Sequence, residues 1–431
     1  MADLKGKQSV YKSIGMIASA NLVATVLGVI GSLVQARFID PETLGFIRKY
    51  DVVASNAVFL SLGLFTIIQR EYLVLIGRGE PERARQAVAI GQSWCLSSCG
   101  FVSCWLLVMA AIAAAQSQWR TAAAWSIQIV SVWSVLYVGF LATTYRSGQQ
   151  FERLAKGTFF SSAISTFVLP IFLIWPFAGL VLRSVLGSTF SGIYLHLVRP
   201  VQVKWFFSLR PFFQLVKRSL RLFIGTFLRY NFWLTVEIWL MLRFAGDKGV
   251  GLMMFSIMTV AAMKQLSNAI NQVYMPKMAY QYGQTGRIAD CLRLVIRPMV
   301  MNFLISICCI VTAWFLFPHV FKIAFPKYVP AVPLINIMLL DLLIVALSLP
   351  VYMVSIIEAY GTQLIAAIIG LAMFVGLSFL LYESGLGPLS VIWGSIAGRF
   401  VFAVISILSI ALRHYSGRLE PTIPGQVGAR Q

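Results

Sequence analysis

Apolar stretches long enough to cross a bilayer recur along the whole chain, separated by short basic or turn-forming segments. A hydrocarbon layer about 30 Å thick is spanned by roughly 20 helical residues. Windows of that kind fall at 13–37, 51–69, 88–115, 121–144, 157–176, 179–198, 219–242, 250–276, 295–318, 330–357, 361–382 and 388–412. Lipid offers backbone groups no hydrogen-bond partner, so each window has to satisfy its own as a helix. The expected fold is therefore an all-α polytopic membrane protein with about 12 transmembrane helices. The fifth and sixth windows share Trp175-Pro176-Phe177-Ala178-Gly179 and read as a helical hairpin. The first follows Lys5, Lys7 and Lys12, is too long for the apolar core of a signal peptide, and is read as a spanning helix.

Composition agrees. Hydrophobic residues make up 59% of the 431 and charged residues only 12%, about half the share that keeps a soluble domain wetted. The formal net charge of +20 does not indicate a nucleic-acid partner, because the cations form short clusters between apolar runs. With the N-terminus inside, 23 of the 35 Lys and Arg fall on cytoplasmic segments, nine at outer ends and three within spans. That bias places both termini in the cytoplasm. The three histidines and six cysteines show no metal-ligand spacing, and neither metal, cofactor nor disulfide framework is expected.

Residues 199–218 mix Trp205, Phe206, Phe207, Phe212 and Phe213 with Lys204, Arg210, Lys217 and Arg218. Such a mixture suits an amphipathic segment in the headgroup layer. It divides the chain into lobes of six helices at 1–198 and 219–412, with a cytoplasmic tail at 413–431. The lobes carry a short repeat: Arg37-Phe38 followed by Gly45, and Arg243-Phe244 followed by Gly251, at an offset of 206 that Gly77 and Gly283 also keep. Six helices per repeat predict parallel units related by an axis along the membrane normal.

Charges inside the spans point to function. Arg229, Lys264 and Arg399 fall near span centres, as does Asp341, with Glu237 two turns from Arg229. A central charge costs about 2.5–3.5 kcal/mol on insertion scales, so each should face a bundle interior or wet cavity. Their neighbours repeat at helical spacing: Arg229, Trp233, Glu237; Lys264, Asn268, Asn271; Asp341, Ser348, Tyr352, Ser355; Ser395, Arg399, Ser406. The first helix carries a neutral stripe of Asn21, Thr25, Gly28, Ser32 and Gln35. The reading is a polar interior in which Arg229, Lys264, Arg399, Asn268, Asn271, Asn21 and Gln35 bind an anionic substrate. Asp341 and Glu237 are the candidates to carry a coupling ion. A packing role is the alternative, with Arg229–Glu237 and Lys264–Asp341 as inert ion pairs. Arg37, Arg183 and Arg243, near helix ends, read as snorkelling anchors.

The stretch from Gly15-Met-Ile-Ala-Ser-Ala-Asn-Leu to Gln35-Ala-Arg37-Phe-Ile-Asp-Pro-Glu-Thr-Leu-Gly45-Phe resembles the start of Wzx-type polysaccharide flippases, of the multidrug/oligosaccharidyl-lipid/polysaccharide (MOP) exporter superfamily. Phe244-Ala-Gly-Asp-Lys-Gly-Val-Gly251-Leu with Asn271-Gln-Val-Tyr-Met-Pro276 resembles that family's seventh and eighth helices, and Glu358-Ala-Tyr-Gly361 with Gly385-Leu-Gly-Pro388 its last three. The resemblance implies two six-helix lobes around a central cavity. It also implies translocation of undecaprenyl-diphosphate-linked oligosaccharide repeat units across a bacterial inner membrane by alternating access, coupled to H⁺ or Na⁺. Polysaccharide polymerase and assembly proteins would be the partners besides the lipid bilayer. Cationic cavity residues of the family map onto Arg229, Lys264 and Arg399. The near lobe departs from the pattern in lacking a mid-span cation.

Two other functions compete with this reading. An ion-coupled drug or small-solute antiporter of the same superfamily would favour an acid-rich cavity, against three basic and one acidic mid-span residues here. A membrane-embedded polysaccharide polymerase or glycosyltransferase would need large loops for its active site, and every outer loop here is short. The loop Gly77-Arg78-Gly79-Glu80-Pro81-Glu82-Arg83 lacks the pattern of major-facilitator transporters.

Overall fold

The computed structural model describes residues 27–28, 30–148, 150–285, 287–357 and 359–415. Asn21, Thr25, Glu358, most of the first expected span and most of the tail lie outside the described residues. Every regular element among the described residues is helical. Seven helices there are long and apolar enough to span a bilayer, and an eighth results if Pro41–Ser61 and Leu64–Gly77, bent by 47°, form one span. The windows 157–176, 219–242 and 250–276 are also helical, within Phe151–Phe167, Ile171–Ile174, Leu209–Phe227 and Trp233–Thr285. Phe101, Phe315, Ile323 and Leu380 stand exposed on these helices, a surface that water penalises and hydrocarbon does not. The protein is an α-helical polytopic membrane protein.

The chain divides into two compact units, Met1–Phe227 and Leu228–Gln431. The amphipathic helix Leu209–Phe227 packs with the first. Arg218 bridges to Glu71 at 3.2 Å, and the Ser219 hydroxyl donates to the Leu62 carbonyl at 2.7 Å. Trp205 just before it and Phe213 within it stay exposed, while Phe212 is buried against Trp94, their ring centres 4.7 Å apart.

The first unit is centred on Leu64, Ile68, Phe140 and Tyr145, all fully buried, and the Tyr145 hydroxyl donates to the Leu195 carbonyl at 2.9 Å. In the second unit the helices Tyr360–Leu381 and Leu389–Tyr415 approach until backbone meets backbone. A Cβ on Gly398 would stand 2.4 Å from the Gly370 carbonyl oxygen. Small residues permit this distance, and dispersion contacts hold it where lipid supplies no hydrophobic drive.

Helix breaks follow the repeat. After Arg37-Phe38 the chain leaves the helix, and Asp40 caps the next one, Pro41–Arg48, its carboxylate accepting the Thr43 amide at 2.8 Å. After Arg243-Phe244 the helix breaks at Gly246, whose φ of 63° a side chain would resist. Asp40 and Gly246 are themselves 206 residues apart, so the repeat marks equivalent corners made by different chemistry. The expected span 330–357 is an irregular helix. It runs as Val332–Met338, Asp341–Ala346 and Ser348–Ile356, with tightened turns at Leu339-Leu340 and Leu347.

Candidate functional site

The second unit gathers its intramembrane charges at one place. Arg229 lies in a π-helical turn, Leu228–Phe232, that leads into the helix carrying Trp233 and Glu237. Lys264 and Asn268 come from further along that chain, beyond the Gly246 break. Asp341 follows the tightened turn at Leu339-Leu340, and Arg399 projects from Leu389–Tyr415. Arg229, Lys264, Asn268, Asp341 and Arg399 line one cavity of about 290 Å³, together with Tyr230, Trp233, Ser348, Tyr352 and Phe402. A second cavity, of about 200 Å³, is lined by Glu237 and Ser395. Tyr230, Lys264, Asp341 and Arg399 border both, so a wall of side chains separates them.

That wall is an ion-pair network. Arg399 donates through Nη1 to Asp341 Oδ2 at 2.6 Å and through Nη2 to Glu237 Oε1 at 2.8 Å. Lys264 Nζ donates to the same Asp341 oxygen, and the Ser395 hydroxyl donates to Glu237 Oε1. Trp233 Nε1–H donates to Ser395 Oγ at 3.0 Å, and its ring stacks on Phe374 with centres 5.3 Å apart. Both carboxylates are buried, and removing one member of such a network leaves a buried charge uncompensated. Glu237 Oε2 has no hydrogen-bond partner among the described residues.

Arg229 stands apart. Its guanidinium lies 4.4 Å from the Phe402 ring centre and 5.0 Å from that of Tyr230, with no carboxylate bound among the described residues. The sequence pairing of Arg229 with Glu237 is thereby corrected: Glu237 accepts from Arg399 instead. Eight helical residues span about 12 Å along the axis, beyond the reach of two side chains on one helix. The pairing of Lys264 with Asp341 is present. The cluster holds three cations and two carboxylates, a formal surplus of one positive charge.

Asn271 borders neither cavity; its amide donates to Ser348 Oγ at 3.1 Å, next to the larger one. Ser406 is buried and bonds its own helix at the Phe402 carbonyl. Gln35 belongs to the first unit, buried, with Oε1 accepting from Arg183 Nη1 at 3.0 Å. Arg183 therefore does not snorkel outward. It turns into its unit, and Nη2 approaches the Gly28 carbonyl at 3.4 Å. A Cβ on Gly31 would stand 2.3 Å from that guanidinium nitrogen, so the missing side chain is what admits it. The first unit does carry an inward cation, which the sequence reading missed. The signal was the stripe of Gly28 and Gln35 with Gly31 between them, one helix face left empty.

No family model matches the chain, and no curated protein matches it by sequence. Solved structures do. An inward-facing multidrug resistance MATE family transporter of the MOP superfamily superposes with a TM-score of 0.70 at 15% identity, over 92% of this chain and 95% of that one. The fold is that of the MATE transporters. An outward-facing structure of a multidrug resistance MATE transporter gives a TM-score of 0.62 at 15% identity, over 94% and 96% of the two chains. A MOP superfamily transporter from Pyrococcus furiosus gives 0.66 at 16% identity, over 94% and 96%. That protein is described as having a binding pocket of reversed polarity that suggests a different function.

Proposed function

We propose that this chain is an alternating-access transporter whose substrate presents an anionic group to the cavity bordered by Arg229, Lys264 and Arg399. One observation carries the reading: both carboxylates at the site are already held by Arg399 and Lys264, while Arg229 holds none among the described residues. A diphosphate can replace carboxylates on Arg and Lys with charge-assisted hydrogen bonds of the same kind, and Arg229 adds a further donor. A free cation would meet two carboxylates whose charge three neighbouring cations already offset. Once an anion draws Arg399 or Lys264 away, Asp341 and Glu237 become able to take up H⁺ or Na⁺, which gives the coupling a physical route.

The finer reading is a flippase for undecaprenyl-diphosphate-linked oligosaccharide in a bacterial inner membrane, with both termini cytoplasmic and polysaccharide-assembly proteins as partners. It is supported by the residue resemblance and by the sign of the cavity. A space of about 290 Å³ matches a diphosphate rather than an oligosaccharide, so the glycan would lie outside it. The structural neighbours favour a second reading, an ion-coupled drug or small-solute antiporter, in which the two acids serve the passenger or its counter-ion. Neither reading makes the protein an enzyme.

Reconstitution into proteoliposomes separates the two. Inward-to-outward movement of a lipid-linked oligosaccharide, lowered in Arg229→Ala, Lys264→Ala and Arg399→Ala, supports the flippase. Undiminished movement in all three variants overturns the cationic-cavity reading. Export of a cationic dye without lipid-linked transport selects the antiporter.

A further inference from the structure

The first unit carries an apolar groove that the proposed transport site does not use. Its volume is about 420 Å³, and it runs between Trp119–Ser147 and Pro176–Leu197. Leu96, Val130, Trp133, Val138, Ile193 and Leu197 make its walls. The π-helical turn Ser134–Val138 forms part of one side, and Gly192 leaves room on the other. A Cβ at Gly192 would meet the Val138 side chain at 3.4 Å, an ordinary contact, so a larger side chain there grows into the groove.

One end of the groove is polar. His196 belongs to its lining, and Arg199 Nη1 lies 2.9 Å from His196 Nδ1. Arg153 reaches the same corner, its Nη1 3.4 Å from the Val198 carbonyl oxygen. Neither arginine is paired with a carboxylate among the described residues. Both belong to segments that the charge count assigns to the cytoplasm. An apolar slot with two uncompensated guanidinium groups at one end matches a molecule with a hydrocarbon chain and an anionic head.

We propose that this groove holds one acyl chain of an anionic phospholipid, with the phosphate at Arg199 and Arg153. The chain replaces apolar contacts that would otherwise be left open. The head supplies the charge that the two arginines lack, which zwitterionic lipid supplies only in part. The site is independent of the substrate reading, because it requires only that the groove be open to the bilayer.

The test uses the full chain in mild detergent, exposed to equal amounts of phosphatidylglycerol and phosphatidylcholine with identical acyl chains, with retained lipid read by native mass spectrometry. The wild type should keep one phosphatidylglycerol in preference, by roughly ten- to thirty-fold, the weight two membrane-surface arginines give an anionic head. Arg199→Gln should lower that preference roughly five-fold. Gly192→Phe should abolish retention of the lipid while the transporter still elutes as a single species. Equal retention of both lipids by the wild type overturns the proposal without needing any variant. So does a preference that survives in a folded Gly192→Phe protein. Loss of lipid-linked transport with the lipid preference intact would count against the transport reading alone.

Discussion

Arg399 Nη2 rests 2.8 Å from Glu237 Oε1, and Glu237 stands 206 positions after Gly31, the residue on which Arg183 rests. In each unit, then, an arginine reaches the first helix at the corresponding position, Arg399 from Leu389–Tyr415 and Arg183 from Pro176–Leu197. The second unit meets it with a carboxylate. The first meets it with a glycine, a glutamine and a backbone carbonyl. The same crossing is thus neutralised on one side and left cationic on the other.

Removing the guanidinium from the charged crossing should cost stability. Arg399→Met leaves Glu237 without its cation and Asp341 with only Lys264, and should destabilise the protein by about 3 kcal/mol. Adding Glu237→Gln to the variant should restore most of the loss. Thermal unfolding in detergent measures both, and equal melting temperatures for wild type and Arg399→Met would show that the network contributes nothing to stability.

Arg229 should behave in the opposite way. Its contacts are with the rings of Phe402 and Tyr230, worth about 0.5–1 kcal/mol where exposed. Arg229→Gln should therefore leave the melting temperature nearly unchanged. It should raise the substrate concentration for half-maximal transport roughly ten-fold, the weight of one charge-assisted hydrogen bond. A fall in stability matching that of Arg399→Met, with transport unchanged, would reverse the assignment.

Gly398 and Gly376 form a matched pair. A Cβ at Gly398 meets the Gly370 carbonyl oxygen at 2.4 Å and the Trp233 ring at 2.8 Å, whereas one at Gly376 meets nothing within 4 Å. Gly398→Ala should cost about 1–3 kcal/mol, because a backbone carbonyl cannot rotate aside. Gly376→Ala should be neutral or slightly stabilising in helix Tyr360–Leu381.

Helical periodicity made much of this site legible. The spacings of Arg229 with Trp233, of Lys264 with Asn268, and of Asp341 with Ser348 and Tyr352 fix shared faces, and the cost of a charge in lipid turns those faces inward. All seven residues border the same cavity. Pairing across helices was not legible. Whether Glu237 meets Arg229 or Arg399 depends on how Leu389–Tyr415 packs, and the π-turn at Leu228–Phe232 shifts Arg229 around its axis in a way no composition signal marks. The tightened turn at Leu339-Leu340 has neither glycine nor proline to announce it. Arg183 was misread because distance from a helix end says nothing of what lies opposite.

Gly31 tests that lesson directly. Gly31→Ala should push the Arg183 guanidinium off Gln35 and cost about 0.5–1.5 kcal/mol, the weight of the lost hydrogen bond. In an Arg183→Met background the same substitution should cost clearly less, giving a coupling of roughly 0.5–1.5 kcal/mol in a double-mutant cycle. Additive effects would mean that the two residues do not share the space.

The two cavities of the second unit meet at Tyr230, Lys264, Asp341 and Arg399, and the ion pairs of the last three form the partition there. Its lifetime is set by rotamer exchange and ion-pair opening rather than by the slower sliding of helices. A ligand able to compete for Arg399 would find the adjoining chamber open to it at once, and the capacity of the site would follow its charge state before any helix had moved.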